Sequence, residues 1–179
     1  MPRNIEIKAR IDSIEAVLPR ARKLSAGDAE LMRQDDTFFG VPQGRLKLRE
    51  FADGSAELIH YHRPDHGDTR ASDYVRVPVP DPAALRNALA RACGITGRVR
   101  KQRWLLMAGA TRIHLDRVEG LGDFIELEVM LADGQTDAEG SAVAEALMQA
   151  LGLADAKRIA GAYLDLLVDR GGMHPAAVA

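Results

Sequence analysis

The stretch "RNIEIKAR", residues 3–10, alternates strictly: Asn4, Glu6, Lys8 and Arg10 fall on one side of an extended strand, and Ile5, Ile7 and Ala9 on the other. Such period-two alternation identifies a strand with one apolar face. It does not say which face the rest of the chain covers. If the polar face meets water, this is an ordinary half-exposed strand. If other strands repeat the pattern and helices claim their apolar faces, the charged faces must turn toward one another.

Other strands do repeat it. "GRLKLRE" (44–50) sets Arg45, Lys47 and Arg49 against Leu46 and Leu48, and "AELIHYHR" (56–63) puts Glu57, Ile59, Tyr61 and Arg63 in phase. "SDYVRV" (72–77) aligns Tyr74 and Arg76 against Val75 and Val77, and "RVRKQRWLL" (98–106) pairs Lys101 with Arg103. "TRIHLDRV" (111–118) aligns Arg112, His114 and Asp116, and "DFIELEVML" (123–131) aligns Phe124, Glu126 and Glu128 against Ile125, Leu127, Val129 and Leu131. With "DDTFFG" (35–40) this makes about eight strands, mostly joined by short turns, so antiparallel pairing is expected, and about eight strands suffice to close a barrel.

The helical stretches decide between the two architectures. "SIEAVLPRARKL" (13–24), "ALRNALARAC" (84–93), "AVAEALMQALG" (142–152) and "IAGAYLDLLV" (159–168) each carry an apolar stripe at helical spacing. Such stripes must be buried, and the apolar faces of the strands are their natural partners. Asp81, Pro82 and Gly94 supply an N-cap, a first-turn proline and a stop for the second helix. The last helix is expected over roughly residues 156–169. The fold class that results is α+β: a closed antiparallel β-barrel forming a tunnel, with helices packed on the outside. One domain over residues 1–170 is expected, with 171–179 as a disordered tail.

Composition narrows the partners. The chain of 179 residues has 46% apolar and 28% charged residues and a formal net charge of −2, values of a soluble globular protein without a global basic field. Aromatic residues are 4% of the chain, which argues against a nucleic-acid-binding barrel that stacks bases on its strands. The single cysteine, Cys93, excludes a disulfide framework and reads as a small core residue. No apolar run approaches the ~18 residues of a membrane span, and no basic-then-apolar leader is recognisable, so no membrane partner and a cytoplasmic location are expected.

The in-phase faces collect the cations Lys8, Arg10, Arg45, Lys47, Arg49, Arg63, Arg76, Lys101, Arg103 and Arg112, against the acids Glu6, Glu57, Asp116, Glu126 and Glu128. Cations turned inward repel one another unless an anion joins them, so a polyanion is the expected ligand. Glu126 and Glu128, two apart on one strand, point the same way. With Glu6 and Asp116 they form a candidate all-oxygen site for Mg²⁺ or Mn²⁺. Cation clamps beside such a site suit phosphoryl chemistry. His114, Tyr61 and Tyr74 are left between phosphate contact and structural hydrogen bonding. Trp104 falls on the outer phase, as do His60 and His62.

At this point the chain resembles a known family. From "NIEIKAR" to "AYLDLL", and most fully in "GRLKLRE", "ELIHYHRPD", "RKQRW" and "RIHLDRVEGLGDFIELEV", it is similar to the CYTH superfamily, the triphosphate tunnel metalloenzymes, and within it to the class IV adenylate cyclase-like branch. The family's N-terminal signature is Glu-x-Glu-x-Lys; here Asn4, Glu6 and Lys8 occupy it, so the first acid is replaced. The resemblance implies that Glu6, Asp116, Glu126 and Glu128 hold the metal, that the basic residues above grip a triphosphate, and that Glu6 and Lys8 take part in catalysis. Lys8 is left between assisting the nucleophile and binding phosphate. The expected substrate is inorganic triphosphate, ATP or thiamine triphosphate, cleaved at a phosphoanhydride bond. The alternatives are cyclisation of ATP to cyclic AMP and pyrophosphate, or polyphosphate or nucleotide binding without catalysis. No His-Phe pair, which some true class IV cyclases carry, precedes the signature. A monomer or homodimer is expected.

Overall fold

The computed structural model describes residues 3–62 and 73–171. In chain order these form β1 (Arg3–Arg10), α1 (Ile14–Leu24), β2 (Glu30–Phe39), β3 (Arg45–Phe51), β4 (Ala56–His62), β5 (Asp73–Pro78), α2 (Pro82–Cys93), β6 (Ile95–Ala108), β7 (Thr111–Val118), β8 (Gly122–Leu131), α3 (Asp137–Ala150) and α4 (Tyr163–Gly171). Arg63 and residues 172–179, most of the expected tail, lie outside the described residues.

The eight strands form one sheet in the order β1-β8-β7-β6-β2-β3-β4-β5, with every neighbouring pair antiparallel. Most neighbours are joined by tight turns. Two pairings are long-range: β1 with β8, and β2 with β6. The expected closed barrel is corrected here, because no ladder joins β1 to β5 and the sheet is not closed by hydrogen bonds. The free edge of β1 is taken at its C-terminal end. Arg10 N–H donates to the Lys157 carbonyl (3.1 Å), Ile159 N–H donates to the Lys8 carbonyl (2.9 Å), and Ala9 bridges Arg158. An edge whose backbone groups are satisfied offers nothing to a further strand.

The apolar faces point outward beneath helices. Ile5, Leu106, Ile113, Leu115, Ile125, Leu127 and Val129 pack with Ile14, Val17 and Ala21 of α1 and with Ala144 and Met148 of α3. α2 lays Leu85 and Leu89 on Phe39, Leu48 and Ala56. Each such large side chain contributes about 1.5–3 kcal/mol on burial, which is why the helices fix the direction of the alternation. The Asp81 cap forms as the sequence predicts, accepting from Ala84 N–H; the structure adds a Ser13 cap that accepts from Ala16 N–H at α1 and a capping box of Thr136 with Glu139 at α3.

α4 departs from expectation. It begins only at Tyr163, after the segment that pairs with β1 and after Gly161 in the left-handed region (φ +86°). Nor does it sit wholly outside. Its Tyr163 joins the inward-facing Phe38, Val99, Val118 and Phe124 in a second apolar cluster, with Leu164 packed against it. That packing fills one end of the interior. Among the described residues no helix is long and apolar enough to cross a membrane.

Candidate functional site

Alternate residues of all eight strands, with Ala162, Tyr163 and Leu164 at the start of α4, line a single cavity of about 680 Å³. Its wall divides by sign. β3 and β6 supply a basic side, with Asp36 of β2 among its cations, and β1 and β8 supply the acids Glu6, Glu126 and Glu128.

On the basic side, register places Asp36 of β2 directly opposite Arg49 of β3. The Asp36 carboxylate, 2% exposed, accepts from Arg49 Nε (2.7 Å), Arg49 Nη2 (2.7 Å) and Lys47 Nζ (2.9 Å). A second buried acid repeats the arrangement one ladder away. Asp116 of β7 stands opposite Arg103 of β6 and accepts from its Nε and Nη2, both at 2.6 Å, and from the Tyr163 hydroxyl at 3.0 Å, with Lys101 Nζ at 3.7 Å. Arg103 Nη2 also donates to Glu126 Oε2 at 2.8 Å, joining the two sides.

Burial sets the protonation of these groups. It would raise the Asp36 carboxyl, but Lys47 and Arg49 outweigh it and hold the group well below the usual carboxylate range. Burial lowers the Lys47 ammonium to about 8 despite Asp36, and burial with the neighbouring Arg103 charge lowers Lys101 to about 7. Burial raises the Tyr163 phenol, assisted by Asp116, so it remains a hydrogen-bond donor.

On the acidic side, Glu6 lies opposite Glu128, and Lys8 opposite Glu126. Asn4 Nδ2 donates to Glu128 Oε1 (2.8 Å), and Arg112 Nη1 to Glu128 Oε2 (3.1 Å). Lys8 Nζ is 3.7 Å from Glu126 Oε1 and donates to the Gly161 carbonyl at 3.1 Å. Burial would raise the Glu126 carboxyl, but the Lys8 charge and a hydrogen bond with Glu6 hold it well below its ordinary value. Among the described residues no three His, Cys, Asp or Glu side chains cluster closely enough to hold an ion unaided. Glu6, Glu126 and Glu128, brought to one wall of the cavity by the β1–β8 register, suit Mg²⁺ or Mn²⁺ of the kind bound through one or two carboxylates, with water and phosphate completing the shell.

The structure thus brings together Glu6, Lys8, Lys47, Arg49, Arg76, Lys101, Arg103, Arg112, Glu126 and Glu128, with His114, Tyr61 and Tyr74 on the same lining. His114 Nδ1 is 3.8 Å from Glu126 Oε2, and burial with the Arg103 charge lowers its imidazole. Arg76, half exposed, stands 3.9 Å from Glu57. Three further predicted residues sit elsewhere. Asp116 is fully buried behind the lining, engaged by Arg103 and Tyr163. Arg10 is exposed, lies over the Phe124 ring at 4.6 Å and donates to the Leu121 carbonyl at 2.6 Å. Arg45 forms a two-pronged pair with Asp165 of α4 at 2.9 and 2.8 Å.

Sequence reasoning missed Asp36, Gln34 and Tyr163. Asp36 and Gln34 were legible: "RQDDTFF" continues the alternation back from Phe38 through Asp36 to Gln34, and the lone strand acid in phase with a cavity is the signal. Tyr163 had none, because its role depends on where α4 docks.

Comparison with known proteins agrees with this architecture. The structure of PH1012 from Pyrococcus horikoshii OT3 superposes with a TM-score of 0.80 at 24% identity, covering 91% of this chain and 98% of that one. A proposed adenylate cyclase from Vibrio parahaemolyticus gives 0.74 at 22% identity over 92% and 97% of the two chains. HpAC1 from Hippeastrum, a proposed adenylyl cyclase described as having a dominant triphosphatase activity, gives 0.67 at 16% identity over 97% of each. No match was found among curated proteins. The CYTH domain profile matches residues 2–163, most of the length of the chain, and with it the protein is placed as a member of the CYTH domain family.

Proposed function

We propose that the protein is a metal-dependent triphosphatase that binds a triphosphate between the two walls of its cavity and hydrolyses a phosphoanhydride bond. The observation that carries this reading is that Lys47, Arg49, Lys101 and Arg103 line the same cavity as Glu6, Glu126 and Glu128. An anion of high charge density is the ligand that balances the first set, and a divalent cation the one that balances the second.

Arg49 and Arg103 are each fixed by a buried carboxylate, so their remaining donors are preorganised to receive phosphate oxygens without further ordering. Lys47 and Lys101 add point charges from β3 and β6. Lys8, buried beside Glu126, would stabilise charge on the phosphoryl group as the bond to the leaving oxygen breaks. Water adds to phosphorus, the bridging oxygen leaves with the bonding electron pair, and the water proton is released. Glu6, Glu126 and Glu128 would hold Mg²⁺ or Mn²⁺, which when bound polarises phosphoryl oxygens as a Lewis acid.

The test is one panel: inorganic triphosphate, ATP and thiamine triphosphate, each with Mg²⁺ and with Mn²⁺, with separate detection of phosphate, pyrophosphate and cyclic AMP. Metal-dependent phosphate release from at least one substrate is expected. Cyclic AMP with pyrophosphate from ATP would assign the cyclase reaction instead, and no turnover with any substrate would overturn the reading.

A further inference from the structure

We propose that Asp36 is a positioning residue for the triphosphate: from beneath the basic wall it holds the Lys47 ammonium and the Arg49 guanidinium in the orientation in which they grip the anion. The inference rests on the triphosphate reading of the cavity. Asp36 is almost fully buried, stands in register with Arg49, and gives both carboxylate oxygens to the two cations. Both cations line the cavity with it.

Two effects make the carboxylate matter for the ligand and not only for the fold. First, the two-pronged contact through Arg49 Nε and Nη2 leaves the opposite side of the guanidinium free of this pairing and fixes its plane; a single acceptor would let it rotate. Second, Asp36 opposes the crowding of positive charge around Lys47. That ammonium feels the charges of Arg49 on its own strand and Arg103 from β6 and lies over the Tyr61 ring of β4 at 5.6 Å, with Lys101 of β6, Arg76 of β5 and Glu57 of β4 on the same cavity lining. Burial already lowers it to about 8, with Asp36 the largest influence in the other direction. Without Asp36 the ammonium gives up its proton at a lower pH than it does beside the carboxylate, and a gripping charge is weakened.

The experiment is calorimetric titration of wild type and Asp36→Asn with inorganic triphosphate at pH 6.0, 7.5 and 9.0, with thermal melts in parallel. Asn is isosteric but has one acceptor oxygen and no charge. The expected result is a folded variant whose Kd rises about tenfold at pH 7.5 and by a smaller factor at pH 6.0, where Lys47 is protonated again. A purely structural residue would lower the melting temperature while leaving Kd and its pH dependence unchanged, and that result would overturn the proposal. Should Asp36→Asn not fold, Arg49→Gln is compared with Asp36→Asn/Arg49→Gln, in which the buried charges leave together. The double variant should then bind several-fold more weakly than the single one at pH 7.5 and less so at pH 6.0; equal affinities would overturn the proposal. Wild type that binds no triphosphate would remove the functional reading and this inference together, whereas tight binding indifferent to the substitution removes this inference alone.

Discussion

Glu6 and Lys8 stand two residues apart on one face of β1 yet meet different partners across β8, Glu6 facing Glu128 and Lys8 facing Glu126. They should therefore fail differently. Glu6→Gln should raise the Mg²⁺ concentration needed for half-maximal turnover, because a lost ligand is offset by mass action. Lys8→Met should lower turnover by tenfold or more on the order expected for a lost charge contact, with no rescue by metal. Metal titrations of the two variants check this, and wild-type behaviour in both would reduce the alternation of "NIEIKAR" to a structural pattern. Lys47 and Lys101 set a pH window. With ammonium groups lowered to about 8 and about 7, both lose charge as pH rises, so triphosphate affinity should fall progressively above pH 7. Calorimetry between pH 6 and 9.5 measures it, and a flat profile would contradict it. For the ligand-free fold the sign is opposite. A lysine whose folded value lies below its ordinary 10.5 costs stability most fully below that folded value, and the cost is relieved as pH rises from about 8 toward 10.5.

At the scale of elements, the direction of the sheet depends on how closely the helices approach it. α3 crosses β1 and β8 at Gly140, where a Cβ would run into the side chains of Ile5 and Leu131. Both neighbours belong to the layer that turns the charged faces inward. Gly140→Ala should therefore destabilise the protein despite the higher helix propensity of alanine, by about 1–3 kcal/mol of overpacking; urea denaturation reads the difference, and a stabilised variant would show that α3 has room to shift. α4 teaches a related point. Its apolar stripe was legible, but its start was not, because the preceding residues satisfy the edge of β1 and Asp165 is held by Arg45 of β3. Tertiary hydrogen bonds outcompeted local helix formation there.

For the whole molecule, one cavity gathers Lys8, Lys47, Arg49, Lys101 and Arg103 at a stability cost that two buried aspartates and Glu126 help to offset. A polyanion should relieve that repulsion. Inorganic triphosphate at about a hundred times its Kd should stabilise the fold by about 2.7 kcal/mol, seen as a raised melting temperature that diminishes as pH rises. No shift at saturating ligand would mean that the cations do not act as one site.

Which side chains share a face was determined by the sequence alone, since period two is a property of the extended backbone and survives any packing. So was the inward direction of the charged faces, because amphipathic helices needed the apolar ones, as α1, α2 and α3 do here. Glu6, Glu126, Glu128, Lys47, Arg49, Lys101 and Arg103 were legible for that reason. Which charges meet was decided only by the tertiary structure. The pairing of β2 with β6 and β3 sets Asp36 under Arg49, and that of β6 with β7 sets Asp116 under Arg103. Strand register between segments far apart in the chain decides whether a carboxylate faces the cavity or lies behind a guanidinium, and alternation within one strand carries no information about it. The open seam between β1 and β5 is of the same kind: what meets a strand edge is set by segments far away in the chain, and here residues 157–159 pair with the Lys8–Arg10 end of β1.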